Sequence, residues 1–135
     1  STRNYPIAYN WKIKFNETGK IPAFCNAIPE LNHNEMTGFD IKESTKALSE
    51  RLHVIILKDS ADHPRIQKRM DILGKLYNDR KLPIIVKEIP GTTVFEKIFS
   101  SLLLADWVAY YTATQYKVEP EKVPMVEEFK RLMTL

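Results

Sequence analysis

Hydrophobic positions along the chain follow two periods, one helical and one extended. Ile7, Trp11 and Phe15 fall four apart with polar residues between them, which predicts an amphipathic helix running toward Asn16 and Glu17 and ended by Thr18 and Gly19. Ile21 to Pro29 is largely apolar with a proline near each end, as expected of a buried strand whose limits are set by residues lacking an N–H. Pro29 and Glu30 open a short helical segment through Met36, with Gly38 placed to close it in a left-handed conformation. Ser44 to Leu52 fits either a capped helical turn or a loop. His53 to Leu57 is continuous in β-branched and aliphatic residues, the pattern of a strand buried on both faces.

Asp59 to His63 then supplies turn and cap residues, and Pro64 suits a first helical turn, where a missing donor costs nothing. Ile66, Met70, Leu73, Leu76 and Tyr77 recur at three-to-four spacing and predict a helix over 64–78. Leu82 to Ile89 reads as a third strand, broken by Pro90 and Gly91. Thr92 or Thr93 can cap the next helix, over 94–116, whose apolar residues cover most of its circumference. A helix of that kind packs on two sides, in an inter-layer core or at a subunit interface. After a loop over 118–124, Met125, Phe129, Leu132 and Met133 form the stripe of a terminal helix. Alternating strands and helices predict the α/β class, a mostly parallel sheet covered by helices. A strand would normally precede the first helix, yet only Ser1 to Pro6 do so. The domain is therefore expected to be incomplete at its N-terminus, as part of a longer protein.

The 135 residues suit one domain, residues 1–135, with a core that needs no metal or disulfide. Twenty Lys and Arg against 17 Asp and Glu leave a formal charge of +3, too slight for a nucleic-acid footprint but suited to an anionic metabolite. The single cysteine, Cys25, lies in the apolar run and points to a packing role and a reduced, cytoplasmic setting. No apolar run approaches the ~18–20 residues of a membrane span, and no basic-then-apolar leader opens the chain. The expectation is a soluble protein with neither membrane nor nucleic acid as partner.

Polar chemistry gathers around the first apolar run. Glu17 precedes it, and Glu30-Leu31-Asn32-His33-Asn34-Glu35 follows it, at the strand ends where ligand crevices form in open α/β sheets. Glu17 is either a solvated carboxylate or a general base. His33, flanked by two amides, is either a solvated loop histidine or a group exchanging a proton near neutral pH. Glu30, His33 and Glu35 lack the spacing of a metal site, so no metal is expected. His53 and His63 read as strand-edge and helix-start residues. Lys130 and Arg131 read as the solvated face of the last helix. Trp11, Trp107, Tyr110 and Tyr111 read as core or interface, not as a stacking platform for bases. No P-loop, GxGxxG or GxSxG motif is present.

The run from Ala8 to Phe39, the segment from Asp59 to Arg69 and the closing stretch from Leu102 to Leu132 resemble the C-terminal half of the bacterial and archaeal bifunctional phosphoglucose/phosphomannose isomerases. The most specific part is Pro29-Glu30-Leu31-Asn32-His33-Asn34-Glu35. Those enzymes are built from two sugar-isomerase (SIS) domains, so the resemblance implies a three-layer αβα sandwich. It also implies interconversion of glucose 6-phosphate or mannose 6-phosphate with fructose 6-phosphate, without metal or organic cofactor. A histidine and a lysine would move protons during ring opening, and a glutamate would carry a proton between C1 and C2 through a cis-enediol. Matched by motif, these are His33, Lys130 and Glu17. The resemblance further implies a homodimer in which His33 reaches the neighbouring subunit's site.

Two departures qualify this expectation. The N-terminal SIS domain, whose Ser/Thr-rich loop binds the phosphate, is absent from these 135 residues, so the chain alone is expected to show little activity. The threonine associated with mannose acceptance before the final helix has no counterpart in Val118 to Pro124. A non-catalytic module that binds a phosphosugar or serves for dimerisation is the alternative.

Overall fold

Two parallel strands stand between layers of helices in the computed structural model, which describes residues 1–134. β1 (Val54–Lys58) and β2 (Ile84–Glu88) pair from Val54 opposite Ile84 to Lys58 opposite Glu88. The helix that joins them, α4 (Pro64–Asp79), begins where His63 Nδ1 accepts the Arg65 N–H at 3.2 Å and Pro64 needs no partner. Alternation along the strands divides the core into two clusters. Val54, Ile56 and Ile84 pack with Met70, Leu73, Tyr77, Leu82 and Ile28 on the α4 side. Ile55 and Leu57 face the other way, onto Ile7, Trp11, Ile89 and Ala105. That second face is covered by α1 (Tyr5–Glu17) and α5 (Val94–Gln115). The order helix, sheet, helix is the three-layer arrangement expected, on a small sheet.

α5 starts with a reciprocal cap. Thr93 Oγ1 accepts the Glu96 N–H at 3.2 Å, while the Glu96 carboxylate accepts the N–H groups of Thr92 and Thr93. Those backbone donors hold the Glu96 carboxyl down at about 2. Ser101, Ala105, Ala109 and Ala113, four apart, are all buried, so α5 presents a strip of small side chains along which α1 lies close. Trp11 Nε1 donates to Ser101 Oγ at 3.0 Å within this contact.

Residues 21–29 do not form the expected strand. The Asn16 side chain takes both backbone groups of Ala23, accepting its N–H at 2.8 Å and donating to its carbonyl at 3.3 Å. A side-chain amide thereby satisfies the groups that a neighbouring strand would have paired. Ile28 reaches the core, but Phe24 is 85% exposed. Gly38 also differs from expectation. It ends the single turn α2 (Glu35–Gly38) in a right-handed conformation, with Phe39 as the C-cap. Ser44 to Leu52 holds a single helical turn, α3 (Lys46–Ser49).

α5 packs on one side. Its opposite face leaves Phe95, Phe99, Leu103, Trp107, Tyr110 and Tyr111 exposed. Trp107, Tyr110 and Tyr111 are therefore not core residues of this chain, whereas Trp11 is. The apolar stripe of α6 (Pro124–Met133) is exposed as well, with Met125 at 81% and Phe129 at 61%.

Candidate active site

The motif around His33 is a loop held by its own polar residues. Glu30 to Asn32 form a 3₁₀ turn, and the His33 N–H closes it on the Glu30 carbonyl at 2.9 Å. Glu30 Oε1 accepts from Asn34 Nδ2 at 2.9 Å, Asn34 Oδ1 accepts the Glu35 N–H at 2.6 Å, and Glu35 Oε1 accepts from Asn26 Nδ2. Beneath them Leu31, Met36 and Phe39 pack against the α4 cluster, with the Phe39 and Tyr77 rings 5.3 Å apart. Burial, and then the charge of Glu35, push the Tyr77 hydroxyl up to about 12. The two acids and the two outer amides are thus occupied in fixing the loop, which leaves the imidazole of His33 exposed and free of side-chain bonds among the described residues.

His33 lines an open concavity of about 330 Å³ with Pro29, Glu30, Asn32 and Arg69. Asn32 Oδ1 is buried there without a partner, while its amide nitrogen donates to Met36 Sδ at 3.7 Å. Arg69 enters from α4, the helix between the strands. The exposed His33 imidazole and the Arg69 guanidinium are among the polar groups that line it.

Glu17 is the last residue of α1 and is exposed. Lys130 lies on α6, also exposed, and its ammonium pairs with Glu127 one turn back at 2.9 Å. No hydrogen bond or ion pair joins any two of Glu17, His33 and Lys130 among the described residues. One indirect link exists between two of their neighbourhoods. Lys20 Nζ donates to the Glu17 carbonyl and to the Lys122 carbonyl, each at 2.6 Å. The end of α1 and the residues just before α6 therefore meet across one ammonium.

At the carboxyl end of β1, Asp59 is buried and accepts from Lys97 at 2.6 Å, Asn4 at 3.0 Å and the Ala61 N–H at 2.9 Å; Arg3 bridges it to Asp62. Burial alone would raise its carboxyl, but the bonds from Lys97, Ala61 and Asn4 outweigh it and hold it at about 2. This cluster pins residues 1–4 and α5 to the strand end. Among the described residues no group of three or more His, Cys, Asp or Glu is arranged to hold a metal ion, and no helix is long and apolar enough to cross a membrane.

Comparison with known proteins gives this arrangement a lineage. The family model described as the bacterial phospho-glucose isomerase C-terminal SIS domain matches residues 1–133. The chain belongs to this family. Relatives named bifunctional phosphoglucose/phosphomannose isomerase include that of Aquifex aeolicus, 32% identical over 92% of the chain and 38% of the relative. That of Caldicellulosiruptor bescii is 34% identical over 92% of the chain and 36% of the relative. That of Thermoplasma acidophilum is 30% identical over 97% and 39% respectively. The chain thus spans a little over a third of the length of these relatives.

As a C-terminal SIS domain, the chain carries two polar side chains near the motif residues that sequence reading passed over. Neither Arg69 on α4 nor Lys20 just after α1 stands in a motif of its own. Only the folded positions put the first beside His33 and the second between Glu17 and Lys122.

Proposed function

We propose that this SIS domain supplies the proton-transfer half of an aldose–ketose isomerase acting on glucose 6-phosphate, and on mannose 6-phosphate where the site admits it, to give fructose 6-phosphate. The observation that supports it most is the His33 loop: a family motif whose two acids are bonded to Asn34 and Asn26, presenting one imidazole free of side-chain bonds at an open concavity. In the reaction, His33 and Lys130 move protons at the ring oxygen and anomeric hydroxyl to open the ring. Glu17 then removes the proton from C2 of the aldose and returns it to C1 through a cis-enediol, so no net atom is gained or lost. The ammonium of Lys130 offsets negative charge that grows on the enediol oxygens.

His33 belongs, in this proposal, to the site of a second copy. The exposed face of α5, from Phe95 to Tyr111, supports pairing, because apolar side chains in such a row favour burial against a partner. The phosphate is bound by the part of the protein that this chain does not span, a second SIS domain. The test is Glu17→Gln in the full-length protein, with exchange of the substrate's carbon-bound proton followed in deuterated water. Loss of exchange with retained phosphosugar binding supports the enzyme; unchanged exchange removes Glu17 as the base. Retained binding with no exchange in the unsubstituted protein supports a non-catalytic module.

A further inference from the structure

Among the described residues a single hydrogen bond joins the stretch 119–134, α6 included, to the rest of the fold: Lys20 Nζ to the Lys122 carbonyl, across 102 positions of sequence. The side-chain bonds and ion pair made within that stretch are otherwise local, such as Glu127–Lys130 and Thr134 to the carbonyls one turn back. Because the α6 side chains are exposed, packing within this chain does not set the helix's place. The same Lys20 ammonium donates to the Glu17 carbonyl.

The backbone at Lys20 carries a second mark. Its φ is 58°, in the left-handed region where glycine is the residue of least strain. Lys81 and Lys117 hold the same conformation after α4 and α5, but their ammonium groups make no bond among the described residues. At 20 the strained position carries a side chain that bridges two elements. Glycine is present next door, at 19, where a Cβ would stand 2.8 Å from the Phe15 carbonyl oxygen.

We propose that Lys20 is a positioning residue, whose ammonium registers α6, and with it Lys130, on the end of α1 that carries Glu17. The proposal rests on the isomerase reading above. Two carbonyls that share one ammonium are held within its reach, and Lys130 follows Pro124 by about 9 Å along the α6 axis. A small displacement at the clamp therefore moves Lys130 relative to the base, and misplacement of a reacting group by about 1 Å is enough to cost about 100-fold in rate.

The experiment uses the full-length protein with Lys20→Met, Lys20→Gly and Lys20→Arg, measuring kcat, KM and melting temperature with fructose 6-phosphate, and Glu17→Gln alongside. Lys20→Met is expected to lower kcat by about 10- to 100-fold with KM within about threefold, since substrate binding is kept while alignment is lost. Lys20→Gly should melt no lower than the unsubstituted protein, because it relieves the left-handed strain, and still lose kcat. Lys20→Arg, which keeps donors at the tip, should retain most of the rate. Wild-type kcat in both the Met and Gly variants, or rate losses that simply follow melting temperature, would overturn the clamp. If Glu17→Gln is inactive while Lys20→Met is normal, the clamp alone falls; if Glu17→Gln stays active, the site assignment on which it rests falls too.

Discussion

Replacing Asp59 by alanine takes one partner from a buried charge and leaves the other behind. The Asp59 side chain is 4% exposed and that of Lys97 11%, with the two joined at 2.6 Å. Removing one member of such a pair costs about 3–5 kcal/mol, most of it the stranded charge. Arg3, half exposed, can turn to water, so it adds little. A chain of this length loses about 0.3 kcal/mol of stability per degree near its midpoint, so the melting temperature should fall by about 10–17 °C. Asp79→Ala, which breaks the exposed Lys75–Asp79 pair, is the control and should cost no more than about 0.5 kcal/mol. The assay is urea unfolding followed by circular dichroism. Asp59→Ala combined with Lys97→Met should recover half or more of the loss, because the stranded ammonium is gone.

Acid titration tests the same cluster independently. Folding lowers the Asp59 carboxyl from 3.8 to about 2, so its contribution is present above pH ~4 and is lost as the pH falls toward 2. After allowance for water reaching the cluster past Arg3, that contribution is about 1–2 kcal/mol. Asp59→Asn should remove this part of the acid-side slope. A cost below about 1 kcal/mol for Asp59→Ala, or no recovery in the double variant, would refute the reasoning.

Two further outcomes are expected. Lys81→Gly should stabilise the protein by about 0.5–1 kcal/mol in the same unfolding assay, since Lys81 sits at φ 60° with its N–H bonded to the Asn78 carbonyl and Leu82 N–H to Tyr77, a helix ending that favours glycine. Phe99→Asp together with Trp107→Asp, at side chains 65% and 52% exposed, should leave the circular dichroism spectrum unchanged and shift the assembly toward monomer in light scattering; an unchanged assembly would exclude this face from the contact.

The two long helices and both strands were legible because local pattern and tertiary role agree in them. Met70, Leu73 and Tyr77 recur at helical spacing and are the residues that close the core; His63-Pro64 and Thr93 with Glu96 cap where the chemistry of those residues says they should. Residues 21–29 were misread because apolar content reports what wants burial, not whether a neighbouring strand is there to pair with. Asn16 supplied Ala23 with partners that no periodicity reveals. The circumference of α5 showed two apolar faces, but composition does not say that the second is left exposed in this chain. For the site, residue type and motif drew attention to Glu17, His33 and Lys130. Lys20 and Arg69 escaped notice because a lone basic residue in a loop or on a helix looks solvated until the fold shows what lies beside it.

The claim that an active site is shared between two copies can be measured by complementation. Full-length Glu17→Gln and His33→Asn are each inactive under this account, since every site in either pure protein lacks one group. Unfolded together and refolded, they form mixed dimers in which one of the two sites has both groups intact, and about a quarter of wild-type isomerase activity returns on statistical grounds. Mixed dimers that form, as shown by differently tagged copies co-purifying, yet show no returned activity would contradict it.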